Sequence, residues 1–280
     1  MTPERLQTLA RLHAPIVRLH SEDRVGPMSP TAFVSGCRLR MYDRRQAGHS
    51  ALHPVLNIET RKWMKPPAVR ALMGQEFFGP PLDLLGDLAL HPDGSNRRPF
   101  DRKAAGRGNV FLEHRHRVPT GEGDPTGTVP SFYFWKSSGN GEGLLTFWFF
   151  YGYSRYQAAP MFGHQGDWEH ISLLLDRGGQ LNGGYFAAHG RPARVPADKL
   201  EVRKGRTIVY SARGSHASYA RAGAHPHGDE TDEGPEWETW RSLEPLSGQA
   251  WRRFAGAWGS VGTMAMTTGP LGPWYKRHRK

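Results

Sequence analysis

The chain predicts a mostly β fold, a single-domain β-sandwich with short peripheral helices. Two observations carry that expectation. Glycine (34) and proline (22) recur throughout the 280 residues, which favours many short elements joined by turns. The apolar runs are short: Leu144 to Tyr153 and Ile171 to Leu175 have the length of buried strands, too brief to cross a bilayer as helices. A chain of this length buries a substantial core, so 1–273 reads as one β-rich domain and 274–280 as a basic tail.

In chain order, Leu6, Leu9, Ala10 and Leu12 are spaced for one face of a helix over 3–13, with Thr2 as its cap. A strand follows at Ile16 to Leu19, and His20 and Glu22 share parity at its end. Helical turns are expected at Ala68 to Met73 and Leu82 to Leu90, each entered through a Pro-Pro pair. Asn96 to Gly108 reads as an exposed basic loop. From Leu112 the chain alternates, which puts His114, His116 and Val118 on one strand face, open either to a metal or to solvent. Gly121 to Gly127 is turn-rich, and Ser131 to Trp135 is a strand by its aromatic content. A hairpin turn at 137–143 leads into the buried run from Leu144. Further strands are expected at Gly184 to His189 and Thr207 to Ala212, with His189 and the cluster Ser215, His216, Ser218 and Tyr219 just past their ends. Residues 225–240 form the only strongly acidic segment, suited to a cation or to docking on a basic surface of the same molecule. Trp251 and Phe254 read as core anchors.

Composition narrows the function classes. A formal net charge of +11 implies attraction to polyanions: nucleic acid, an anionic membrane or a glycan surface. The Arg and Lys are dispersed and no nucleic-acid module is recognised, which ranks nucleic acid below a lipid or glycan surface. No run of 18 apolar residues occurs, so no transmembrane segment is expected, and Met1 to Leu9 lacks a signal-peptide pattern. A cytoplasmic or peripheral membrane protein is expected, with export by another route left open. The single Cys37 excludes an intramolecular disulfide framework and reads as a small buried apolar residue.

The candidate site lies in Gly163-His-Gln-Gly-Asp-Trp-Glu-His170, which runs straight into the strand Ile171 to Leu175. Alternation gives Asp167 and Glu169 the parity of Ile171, Leu173 and Leu175, so both carboxylates face the core. Buried carboxylates need a cation, a metal or several donors. With His164 they suit a divalent cation (Ca, Mg, Mn or Zn) or, equally, an ion-pair network. Ser215 beside His216 points towards a serine hydrolase, but sequence neighbours rarely form the nucleophile-base pair and no Gly-x-Ser-x-Gly elbow surrounds Ser215, which ranks a serine nucleophile low.

Ala14-Pro-Ile-Val-Arg-Leu-His-Ser-Glu22, His164-Gln-Gly-Asp-Trp-Glu-His-Ile171, Ala212-Arg-Gly-Ser-His-Ala-Ser-Tyr219 and Trp251-Arg-Arg-Phe-Ala-Gly-Ala-Trp-Gly259 together resemble the vacuolar protein sorting-associated protein 62 family. Gly163 to Glu169 is also similar to the heptapeptide of necrosis- and ethylene-inducing-peptide-like cytolysins. Those are β-sandwich proteins that hold a divalent cation and engage sphingolipid head groups. The likeness implies metal-ligand places at His164, Asp167 and Glu169, with Gly166 where the cytolysins carry a second histidine and Tyr156 where they carry an aspartate. His189, His216 or His114 would have to complete the shell, and His189 is the fourth ligand expected here. The resulting expectation is divalent-cation-dependent binding of anionic lipid or glycan head groups at a membrane surface. The alternative is a metal-dependent phosphoester hydrolase in which His216 or His170 moves protons.

Overall fold

The computed structural model describes residues 1–42, 56–57, 62–63, 78–87, 99–101, 109–121, 128–157, 159, 161–189 and 191–276. The turn expected at Ala68 to Met73, most of the basic loop Asn96 to Gly108, the turns at 122–127 and the end of the tail lie outside the described residues. The chain, read above as one β-rich domain, divides into two compact units. The first comprises Met1–Ser29, Thr120–Met161 and Trp168–Gln249, and the second Pro30–Pro119, Phe162–Asp167 and Ala250–Lys280.

The elements, in chain order, are α1 (Pro3–His13), β1 (Ile16–Arg18), α2 (Pro30–Ser35), β2 (Cys37–Tyr42), β3 (Leu56–Asn57), β4 (Lys62–Trp63), α3 (Leu82–Asp87), β5 (Asn109–His114), β6 (Ser131–Gly139), β7 (Glu142–Arg155), β8 (Gly163–Leu175), β9 (Leu181–Ala188), β10 (Arg191–Pro196), β11 (Val202–Arg203), β12 (Arg206–Ser211), β13 (Ser218–Tyr219), β14 (Gly223–Ala224), β15 (Glu230–Thr231), β16 (Glu236–Glu238), β17 (Leu243–Pro245) and β18 (Ala257–Trp258), with short 3-10 turns between them.

The first unit is a two-sheet β-sandwich. One sheet has the order β10-β9-β8-β7-β6-β17, and the other runs β11-β12-β1-β16 with β13 on β12. Strand alternation sends Phe147, Phe149, Ile171 and Leu173 to the same side, where they meet Val17, Val209 and Trp237 of the second sheet in one core. The opposite face of the six-stranded sheet is aromatic as well: Trp168 packs on Phe150 at 4.7 Å and Trp148 on His170 at 4.1 Å between ring centres. Both faces of β7 are therefore buried along most of its length, which is why Leu144 to Tyr153 reads as a nearly continuous apolar run. The turn between β6 and β7 places Asn140 (φ 52°) and Gly141 (φ 82°) in the left-handed region that a tight hairpin demands.

Helix α1 has the expected bounds, and the Thr2 hydroxyl caps it by accepting from Arg5 N. Its buried face differs from the expected one. Leu12 is 55% exposed, while His13 turns inward and its Nε2 meets Gly179 O at 2.8 Å. A histidine with a backbone partner takes the place that the apolar count assigned to a leucine.

In the second unit β2, β5 and β18 form a three-stranded sheet whose core is Phe33, Phe111, Trp251, Phe254 and Trp258. Trp251 and Phe254 are core residues, as expected, and Cys37 is fully buried on β2. Strand β5 ends at His114. The alternation read through Val118 is corrected there: the chain bends, the His116 N–H donates to His114 Nδ1 at 3.1 Å, and only His114 is buried.

Candidate functional site

The stretch around Gly166 is held by backbone approach. Gly166 has φ +65°, and a Cβ on it would lie 2.0 Å from the Trp258 carbonyl oxygen. Its neighbour Gln165, 6% exposed, fastens the same place: Oε1 accepts from His114 N (3.0 Å) and Ser260 N (3.3 Å), and Nε2 donates to His114 O (3.0 Å) and His116 O (2.8 Å). An amide carries both donors and acceptors, so one side chain satisfies two bends of the chain at once. His164 Nδ1 lies 2.8 Å from Gly166 O within its own turn.

Asp167 and Glu169 are buried, as the alternation expects, at 4% and 8% exposure. His164 and Asp167 belong to the second unit, and Glu169, His170, His189 and His216 to the first. Among the described residues no three His, Cys, Asp or Glu side chains converge as a metal-binding group. Gly166 has no room for the histidine that stands there in the cytolysins, so the residues present do not fit a cation site of that pattern. His170 lies flat against Trp148 on the aromatic face.

The first unit contains a different constellation, centred on Asp229 in the acidic segment. Asp229 is 2% exposed. Its Oδ1 accepts from Ser215 Oγ at 2.8 Å, and its Oδ2 accepts from Tyr219 Oη and His189 Nε2, each at 2.8 Å. Burial pushes the carboxyl upward, but the hydrogen bonds from His189, Tyr219 and Ser215 outweigh it and hold Asp229 below its usual range, hence ionised. An ionised carboxylate only accepts, so His189 Nε2 is the donor of this pair. Tyr219 is pushed well above an ordinary phenol by burial, by its bond to Asp229 and by the charges of Asp229 and Glu169, which keeps it a donor.

The local chain explains this convergence. β12 ends at Ser211, Gly214 (φ 72°) and His216 (φ 54°) reverse the chain, and β13 returns antiparallel with Ser218 opposite Ser211. Within that reversal Ser215 and Tyr219 reach Asp229, while His216 turns to a second carboxylate: its Nε2 is 3.4 Å from Asp23 Oδ2 and its ring stacks on Tyr151 at 3.9 Å. The N–H groups of Gly214, Ser215 and His216 go to Asp23, Arg213 O and Ala212 O. They make no oxyanion hole, and Ser215 Oγ is bonded to Asp229 with no histidine between them, so a serine nucleophile is not assembled.

Burial also raises Asp23, but His216 and the amides of Gly214 and Val25 prevail and bring it down to about 2 from a usual 3.8. A carboxyl depressed on folding stabilises the fold above its unfolded pKa, and that contribution is lost as pH falls through the folded value. We expect about 2 kcal/mol of stability to vanish between pH 4 and pH 2. In Asp23→Asn this acid limb should be flatter, which chemical denaturation at a series of pH values reads directly.

Around Asp229 the rim is aromatic. Tyr156 stacks on His189 with ring centres 5.5 Å apart, and its hydroxyl lies 3.5 Å from His189 Nδ1. His227 meets the His189 ring edge-on at 5.1 Å. His189 (φ 50°) and His227 (φ 68°) both occupy the left-handed region, a costly backbone for a side-chain-bearing residue and one that concentrates at functional sites. Elsewhere in the acidic segment Glu236 pairs with Arg18 and Arg203, and Asp232 accepts from the Ser21 backbone N–H. Of this constellation the sequence indicated His189, Ser215 and Tyr219. It did not single out Asp229, whose one signal was an acidic run in a basic chain.

The family model of vacuolar protein sorting-associated protein 62 matches residues 156–245, the span that contains Tyr156, His189, Ser215, Tyr219 and Asp229. In Saccharomyces cerevisiae, the vacuolar protein sorting-associated protein 62 is 28% identical over 176 residues, 47% of this chain and 37% of the yeast protein. The putative vacuolar protein sorting-associated protein TDA6 is 25% identical over 99% of this chain and 68% of its own length. The chain thus spans little more than a third of the first relative. Among solved structures, a Necrosis and Ethylene inducing Protein 2 from the agent of cocoa's Witches Broom disease superposes with a TM-score of 0.32 at 19% identity, covering 47% of this chain and 63% of that one. NLPPya in complex with glucosamine gives 0.33 at 14% identity, covering 51% and 61%.

Proposed function

We propose that this chain binds glycan or anionic-lipid head groups at a membrane surface, and that it does so at the Asp229 end of its first unit. The observation that carries this reading is the ionised, buried Asp229, which fixes His189 from behind and leaves Nδ1 toward the half-buried rim of Tyr156. A polar ligand needs such a point, a hydrogen-bonding atom whose orientation is settled beforehand, beside rings that cover apolar C–H surface. The +11 net charge supplies non-specific approach to an anionic surface. The cation expected from the heptapeptide has no converging ligand set among the described residues, so the reading is framed without one.

The test is flotation with phosphatidylcholine vesicles, alone or carrying glucosylceramide or phosphatidic acid, beside retention on duplex DNA, each across a salt series. Binding to a doped vesicle that persists at 0.5 M salt, on the order of ten times above plain phosphatidylcholine, is the expected result. Retention on DNA alone, with the steep salt slope of phosphate neutralisation, would move the protein to the nucleic-acid class.

A further inference from the structure

Resting on the membrane-surface reading above, we infer that the tip of the second unit's last loop, residues 263–266, inserts between the lipid head groups of an anionic bilayer. No charged residue stands between Arg253 and Lys276, the longest charge-free stretch in a chain of net charge +11. Within it Ala257 bridges Leu271, the Trp258 N–H donates to Pro270 O at 2.7 Å and the Gly269 N–H donates to Ser260 O at 3.0 Å. The loop therefore leaves and rejoins the unit through one narrow stem, in which a Cβ on Gly269 would lie 2.5 Å from the Gly259 Cα. Thr263, Met264, Ala265 and Met266 are all exposed at the tip, the two methionines at 41% and 42%.

The chemistry of the tip selects a bilayer. Its backbone is bonded within the loop: the Met264 N–H donates to Thr267 Oγ1 at 3.1 Å, and Met264 O accepts from Thr267 N (3.2 Å) and Thr268 Oγ1 (2.8 Å). Ala265 O accepts from Thr268 N at 3.1 Å, and Thr268 Oγ1 accepts from Gly262 N at 3.2 Å. Backbone groups paired inside their own loop enter a water-poor layer without losing partners. The methionines add flexible apolar side chains that conform to lipid. A protein interface sets such groups within a rim of polar and charged side chains, and residues 263–266 supply no charged one. Both ends of the charge-free stretch are basic, with Arg252 and Arg253 before it and Lys276-Arg-His-Arg-Lys280 after it. Half-buried Trp274 and Tyr275 adjoin Lys276, and the Arg252 guanidinium lies 6.0 Å from the centre of the Trp274 ring. Tryptophan, tyrosine and basic side chains are the residues that gather at head-group level, and the positive ends complement an anionic surface.

The experiment places a dye in the tip. Cys37 is fully buried, so in Met266→Cys the thiol at the tip is the one that a nitrobenzoxadiazole reagent reaches. With phosphatidylcholine vesicles carrying phosphatidic acid, the emission should rise about threefold, shift to the blue and be quenched by a nitroxide on the acyl chains. The double variant Met264→Gln/Met266→Gln should bind these vesicles about tenfold more weakly than wild type, with an unchanged thermal transition. Unchanged emission while the labelled protein floats with the vesicles would leave the tip in water, which overturns the inference while the head-group reading stands. An equal rise on plain phosphatidylcholine overturns the choice of an anionic bilayer. A rise that needs no vesicle and grows with protein concentration would make the tip a contact between copies of the chain, and also overturns it. Failure of the wild type to float with phosphatidic acid or glucosylceramide vesicles overturns both readings.

Discussion

Gly166→His is expected to destabilise the second unit rather than to complete a cation site, with a loss of about 2–4 kcal/mol. The histidine would restore the residue that the cytolysin heptapeptide carries at this place. Its Cβ would have to occupy a point 2.0 Å from the Trp258 carbonyl oxygen and 3.3 Å from the Trp258 Cβ. No rotamer relieves that clash, because it lies between a Cβ and backbone. The left-handed φ of +65° adds about 1 kcal/mol for any residue with a side chain, and overpacking adds about 1–3 kcal/mol more. The same approach is seen from the other side at Gly259, where a Cβ would lie 2.0 Å from Gln165 O. Gly166→Ala should therefore be almost as damaging as Gly166→His, and neither should gain a bound metal. Circular dichroism melts with metal content by plasma mass spectrometry check both points. A folded Gly166→His protein that retains one equivalent of cation would show the close approach to be dispensable.

Asp229→Asn should be the most damaging isosteric change in the first unit. The carboxylate satisfies three buried or half-buried donors from two separate segments: Ser215 and Tyr219 from one chain reversal and His189 from the end of β9. An asparagine offers one acceptor oxygen and turns an NH2 toward the other donors, so at least one of the three loses its partner and faces another donor. Leaving buried polar groups unsatisfied costs about 1–3 kcal/mol each, and breaking a buried charge-bearing pair costs about 3–5 kcal/mol. We expect a loss of about 3 kcal/mol, against less than about 0.5 kcal/mol for Asp198→Asn on the surface, where the side chain is 74% exposed. The imidazole of His189 would also lose the carboxylate that holds its ring in place, so vesicle binding should fall even at temperatures where the variant is folded. Denaturant titration separates the two effects.

Much of the architecture was legible because it rests on local rules. Thr2 and the 3–13 periodicity specified a helix, the aromatic run from Leu144 specified a strand buried on both faces, and the parity of Asp167 and Glu169 with Ile171 correctly put both carboxylates inside. The parts that failed depend on distant partners. His13 is buried because Gly179, far along the chain, offers a carbonyl. The strand was read past His114 because nothing in an alternating pattern announces that His116 N will fold back on His114 Nδ1. Gln165 is uncharged and sits beside two conspicuous carboxylates, yet it is the residue with four hydrogen bonds across the second unit. Asp229 is the clearest case. Its partners His189, Ser215 and Tyr219 stand at or just past strand ends, but the acid that unites them lies in a segment whose composition suggests a cation or docking on a basic surface, with nothing to single out one carboxylate.

In the function proposed above, ligand recognition resides at Asp229 and His189 and needs no cation at His164, Asp167 and Glu169. The most direct measurement is flotation on glucosylceramide vesicles, with wild type and His189→Ala each assayed in EDTA and then after addition of Ca, Mg, Mn or Zn. Wild-type binding should survive EDTA within a factor of two, gain nothing from added cation, and fall at least tenfold in His189→Ala. Binding that disappears in EDTA, returns with one of these cations and is indifferent to His189→Ala would contradict that function, and would return the site to the carboxylates of β8.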